Sequence, residues 1–105
     1  IWATDWTDGH LVRYDPVSGQ SSLFSIPTEG AMPYSVFVDR KRGYIWTADY
    51  AGNNLVRLDP ESGKFVEYHL PNHESYPRFI SIDDDGRIWF AEWWNNRAGS
   101  LAPGY

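Results

Sequence analysis

The chain has 105 residues, a formal net charge of −5 and no cysteine. Disulfides, thiolate catalysis and Cys-based zinc sites are therefore excluded. Basic residues cluster only at Arg40-Lys41-Arg42, which argues against nucleic acid or an anionic membrane as a partner.

The first elements read as extended strands. Ile1-Trp2-Ala3-Thr4-Asp5-Trp6 opens the chain, and Leu11-Val12-Arg13-Tyr14 follows before the turn Asp15-Pro16-Val17-Ser18-Gly19. Pro presets the φ of such a turn, and Gly closes it in a left-handed conformation. Ser35-Val36-Phe37-Val38 is a short apolar run that turns at Asp39-Arg40-Lys41-Arg42-Gly43 into Tyr44-Ile45-Trp46-Thr47-Ala48. Asn54-Leu55-Val56-Arg57-Leu58 alternates as a half-buried strand should. Asp59-Pro60-Glu61-Ser62-Gly63 then leads into Lys64-Phe65-Val66-Glu67-Tyr68-His69-Leu70. Phe79-Ile80-Ser81-Ile82, the turn Asp83-Asp84-Asp85-Gly86 and Arg87-Ile88-Trp89-Phe90-Ala91 repeat the pattern. No window sustains an apolar period of 3.6, and no apolar run approaches the ~20 residues a membrane helix needs.

These elements recur every 43 or 44 residues, so that Ile1-Trp2, Ile45-Trp46 and Ile88-Trp89 start equivalent strands. Units of this length cannot bury a core alone and must stack. Each is a four-stranded antiparallel meander, the blade of an all-β propeller. Residues 1–27 supply an incomplete blade, 33–70 a complete one and 77–103 another incomplete one, about two and a half blades in all. A closed ring of seven blades needs ~300 residues. The expectation is a portion of a longer protein, its ring completed by further blades of the same chain. The alternative is assembly with other copies or a partner chain.

The third residue after each repeated Trp is acidic: Asp5, Asp49 and Glu92. A ring of such carboxylates would attract a divalent cation. As loop caps, they would instead bond neighbouring amides. Trp6, Tyr50, Trp93 and Trp94 follow the acids and would either bind a small ligand or protein, or pack against the next blade. Trp2, Trp46 and Trp89 sit mid-strand and are expected in the core between blades. His10, His69 and His73 have no metal-ligand spacing and read as surface residues. No phosphate loop or nucleophile elbow is present.

A Pro-aromatic-x-aliphatic opening, a strand of Ile-Trp-Phe-Ala-Glu type, an Asn-Asn turn and a closing Tyr-x-Leu-Pro recur along the chain. The best stretch runs from Tyr68-His69-Leu70-Pro71 through Tyr76-Pro77-Arg78-Phe79-Ile80 to Ile88-Trp89-Phe90-Ala91-Glu92-Trp93. It resembles the bacterial streptogramin B lyase (virginiamycin B lyase) family. The resemblance implies a seven-bladed propeller, a substrate site at the mouth of the central channel, and magnesium. It also implies elimination that linearises a cyclic depsipeptide, with a His directly after a blade-opening Pro as base and a Glu before that Pro. Here Tyr34 and Arg78 follow the Pro, and Met32 and Tyr76 precede it. No catalytic residue of this chain is therefore implied, and Glu92 alone matches a functional position. The same alignment makes Tyr34 and Arg78 channel-facing ligand-binding candidates. Arg78 would either bind a carboxylate or pair with Glu92. Two functions follow as expectations: a ligand-binding or protein-interaction scaffold, or a magnesium-dependent lyase whose base lies in other blades. The compartment stays open between the periplasm or exterior and the cytoplasm.

Overall fold

Ten strands form three antiparallel sheets in the computed structural model, which describes residues 1–72, 74–94 and 96–105. His73 lies outside the described residues, as does Asn95 of the Asn-Asn turn. The first sheet is β1 (Trp2–Asp5), β2 (His10–Tyr14) and β3 (Ser21–Ser25) in sequence order. The second is β4 (Pro33–Asp39), β5 (Tyr44–Asp49), β6 (Asn54–Asp59) and β7 (Lys64–His69). The third is β8 (Pro77–Ile82), β9 (Ile88–Glu92) and β10 (Arg97–Leu101). There is no helix among the described residues. The architecture is a partial β-propeller, three sheets side by side with β4 lying between β1 and β8.

The repeated turns share one chemistry. Asp15 Oδ1 accepts the Val17 amide at 2.9 Å, and Asp59 Oδ1 accepts the Glu61 amide at 3.1 Å. Ser18 and Ser62 accept the amides of Gln20 and Lys64, both at 3.2 Å. Gly19 and Gly63 close these turns at φ 75° and 74°, where a side chain would be strained.

The core lies between sheets, because side chains alternate across each strand. Trp46, Ala48 and Leu55 face the third sheet and pack with Ile88 and Phe90. Ile45 and Leu58 face the first sheet and pack with Leu11. Fully burying such side chains is worth about 1.5–3 kcal/mol each. The three repeated tryptophans therefore differ in burial despite equivalent positions. Trp46 has a sheet on either side and is fully buried. Trp2 is half-buried against Phe24 and the Leu11 cluster. Trp89, expected in the core, is 47% exposed, because it points to the side of the third sheet on which no further sheet of this chain lies. Its indole N–H instead donates to Asp83 Oδ2 at 3.0 Å.

Two bulges prepare the site. In β4 the register shifts between Pro33 and Val36, and in β8 between Pro77 and Ile80. Pro33 and Pro77 are fully buried. Tyr34-Ser35 and Arg78-Phe79 thus fall outside the regular ladder, and bulges re-aim side chains in this way.

Candidate functional site

Each sheet contains one hairpin whose last cross-strand pair carries the acid. The pairs are Asp5 with His10, Asp49 with Asn54 and Glu92 with Arg97. Each turn has a left-handed residue just before its second strand: Gly9 at φ 72°, Asn53 at 59° and Asn96 at 55°. Asn tolerates that conformation best among residues with a side chain. The turn brings the residue after each acid, Trp6, Tyr50 or Trp93, to one end of the stacked sheets.

The carboxylates have local partners. Asp49 is fully buried, and its Oδ1 accepts the amides of Met32 at 3.0 Å and Gly52 at 2.9 Å. A Cβ at Gly52 would run into this carboxylate, so the close approach requires glycine. Asp5 Oδ1 accepts the Asp8 amide at 3.3 Å, and Asp5 Oδ2 lies 3.3 Å from His10 Nδ1. Glu92 is buried, and its Oε1 accepts from Asn72 Nδ2 at 3.3 Å. Glu92 also lines a groove between β7 and β10 with His69, Asn72 and Arg97.

Asp5, Asp49 and Glu92 occupy equivalent register positions but do not converge. Among the described residues, three acid or histidine ligand atoms come within 4.8 Å of one another at Asp5, Asp8 and His10. Asp5 and Asp49 each cap the turn of their own hairpin, at the amides of Asp8 and Gly52, whereas Glu92 reaches Asn72 in the loop after β7. His69 is exposed, with Nδ1 2.9 Å from Asn54 Oδ1.

The aromatic candidates do come together. Trp6 of the first sheet lies 5.3 Å from Tyr34 and 5.4 Å from Tyr50 of the second, centroid to centroid. Tyr34 continues to Phe79 at 5.4 Å. Tyr50 continues to Tyr76 at 4.8 Å and Trp93 at 6.4 Å, and Trp94 closes the group at 5.7 Å from Trp93. Several are edge-to-face or tilted pairs, which aromatic quadrupoles favour. Trp93 is 50% exposed and Trp94 62% exposed, so the group presents flat apolar surface to solvent.

Arg78 sits within this face. Its Cζ lies 4.5 Å from the Tyr34 ring centroid and 4.7 Å from that of Trp93, with Tyr50 at 6.0 Å. A guanidinium between two rings gains cation–π attraction from both. The ion pairs among the described residues are Asp5–His10 and Asp39–Arg42, neither of which involves Arg78. The anticipated Arg78–Glu92 pair is absent from them.

Sequence reasoning missed Tyr76 and Phe79. Tyr76 holds a left-handed backbone, φ 46°, which is costly for a bulky residue. Its place before Pro77 favours extended backbone instead, so the sequence carried no signal for it. Asp8 and His10 were missed as neighbours of Asp5, although their spacing across a four-residue turn places them there.

The virginiamycin B lyase family model matches residues 1–104. Selenomethionine-substituted virginiamycin B lyase from Staphylococcus aureus is 27% identical with a TM-score of 0.87, covering 97% of this chain and 34% of that one. A streptogramin B lyase structure is 30% identical with a TM-score of 0.90, covering 97% of this chain and 33% of its own. A catalytically inactive virginiamycin B lyase from Staphylococcus aureus with quinupristin is 26% identical with a TM-score of 0.89, covering 98% and 34%. The chain thus spans about a third of the length of these structures. No curated protein matches it. The repeat, the stacked sheets and a family match over nearly every residue agree: the chain belongs to the virginiamycin B lyase family.

Proposed function

We propose that the chain forms part of the ligand-binding face of a propeller whose ring is completed by further blades. The observation that carries this reading is the aromatic group running without interruption from Trp6 through Tyr34 and Tyr50 to Trp93 and Trp94, across three sheets. Apolar rings left half-exposed at one end of a rigid scaffold stabilise flat or amphipathic ligands by burial and stacking. The face acts by binding and orientation.

Family membership supports a second reading for the complete protein: a magnesium-dependent lyase that opens a cyclic depsipeptide. Tyr34 and Arg78 follow the blade-opening prolines here, so the base would come from blades outside this chain. Glu92 is the residue of this chain at a position the family uses.

Quinupristin, present with one of the relatives, is the probe that tests both readings. Titrated into the chain, it should shift the Trp93 and Trp94 indole resonances, and Trp93→Ala should weaken binding about tenfold, as loss of a stacking aromatic does. An unchanged spectrum at saturating probe sinks the small-ligand face. Incubated with the full-length protein, the probe should convert chromatographically to a linear product that requires magnesium. A stable ring would remove the lyase reading and leave the binding scaffold.

A further inference from the structure

We infer that Arg78 is an anion receptor set into the aromatic face, so that the preferred ligands carry a carboxylate beside an aromatic group. The inference deepens the binding reading above and rests on it.

Three observations combine. The guanidinium is clamped between Tyr34 and Trp93. Held there, it has already lost the rotamer freedom that a flexible Arg gives up on binding. Its Nε is buried and has no hydrogen-bond partner, and neither ion pair among the described residues engages the side chain. A desolvated donor left unmatched is costly, and a carboxylate that displaces the group covering it relieves that cost by accepting from Nε–H and the adjacent Nη–H as a planar two-bond fork. The nearest backbone link uses only the Arg78 carbonyl, which accepts from Ser35 Oγ at 2.6 Å and leaves the guanidinium edge uncommitted.

The surroundings set the rest of the ligand. Trp93 against the guanidinium and Trp94 next to Trp93 are at least half-exposed, so a ring attached near the carboxylate has a surface to stack on. The chain carries a formal charge of −5, so its overall field repels anions. Selection of a carboxylate must then come from this local fork and not from general attraction.

A purely structural Arg78, a strut between the second and third sheets, would show the same ring contacts but no preference for charge. The decisive probes are N-acetyl-L-tryptophan and its amide, which share the ring and differ in the carboxylate. Two-dimensional NMR of the full-length protein reads the Arg78 Nε–H and the Trp93 indole N–H in each titration. The acid should bind about tenfold tighter than the amide, as expected for a hydrogen-bonded charge pair, and only the acid should move the Arg78 Nε–H. Arg78→Gln should bring the two affinities together, and Arg78→Lys should restore only part of the difference because it lacks the fork. Equal binding of both probes to the unaltered full-length protein, with Trp93 shifting, overturns the receptor and leaves the aromatic face standing. No shift at Trp93 with either probe overturns the face and the receptor together. The comparison on the unaltered full-length protein needs no variant to fold.

Discussion

Two clusters pair guanidinium groups with aromatic rings, one at each end of the second sheet, and only one of them is closed. At the lower end Tyr44 and Tyr105 stack at 5.9 Å with 9° between their planes. Arg42 Cζ lies 4.6 Å from the Tyr105 centroid, and Arg57 Cζ lies 4.3 Å from that of Tyr44. Arg42 also pairs with Asp39 at 3.4 Å, and the Tyr105 hydroxyl donates to the Gly86 carbonyl at 3.1 Å. Arg57 forms no ion pair among the described residues, but it leaves no buried nitrogen orphaned. At the upper end Arg78 has the same kind of ring contacts, and its Nε is buried without a partner. Cation–π contact alone therefore marks nothing. What separates the two sets of guanidinium groups is that, among the described residues, only that of Arg78 leaves a buried nitrogen unmatched.

The contrast implies unequal costs of truncation. Tyr44→Ala should cost about 2–3 kcal/mol, combining lost ring burial with lost stacking. Trp94→Ala, at a ring 62% exposed, should stay within about 0.5 kcal/mol. Urea unfolding midpoints measure both. Equal losses would mean that the upper rings are packing, and the comparison would break.

A smaller difference separates the two arginines. Asp39 is buried, and besides Arg42 Nη1 it accepts the amides of Lys41 at 3.2 Å and Arg42 at 3.3 Å. Asp39→Asn keeps an acceptor for the amides but strips the charge from the pair, and should cost about 1–2 kcal/mol. Arg78→Gln forfeits only ring contacts and should cost less than about 1 kcal/mol. The same unfolding measurement ranks them. An Arg78→Gln loss exceeding that of Asp39→Asn would make Arg78 a strut.

The sequence made the fold legible because its turns are chemical and local. Asp15-to-Gln20 and Asp59-to-Lys64 carry their own hydrogen bonds within six residues, so their positions follow from spacing alone. The site was legible where it repeats. Trp6, Tyr50 and Trp93 follow the same hairpin acid, and Tyr34 and Arg78 follow the same buried proline. What did not repeat stayed hidden. Tyr76 and Phe79 join the aromatic face through a strained φ and a bulge, neither of which the neighbouring residues announce. The exposure of Trp89 depends on whether another sheet covers it, a tertiary fact that an identical Ile-Trp pair cannot encode. The unmatched Arg78 Nε depends on which carboxylates come near, and Asp49 is turned instead onto the amides of Met32 and Gly52.

The smallest expected effect lies in the alkaline limb of stability, and it tests how tightly the lower cluster is closed. Burial raises the Tyr105 phenol above its ordinary value of 10.0, and the Asp39 carboxylate adds to the shift, while Arg42 and Arg57 oppose it. With the folded pKa above the unfolded one, the unfolded chain releases this proton first. The contribution is therefore fully present below the unfolded value and is lost as pH rises through 10.0 toward the folded one. Tyr105 is 49% exposed, so the slope should be shallow. Tyr105→Phe also gives up the bond to Gly86, which lowers stability at every pH, so the test compares slopes and not absolute values. Unfolding midpoints on either side of pH 10 should decline less steeply for Tyr105→Phe than for the unaltered chain. Identical slopes would show that the phenol titrates as freely in the folded chain as in the unfolded one. The lower cluster would then be open to water, as the upper one is, and burial could no longer tell the two ends apart.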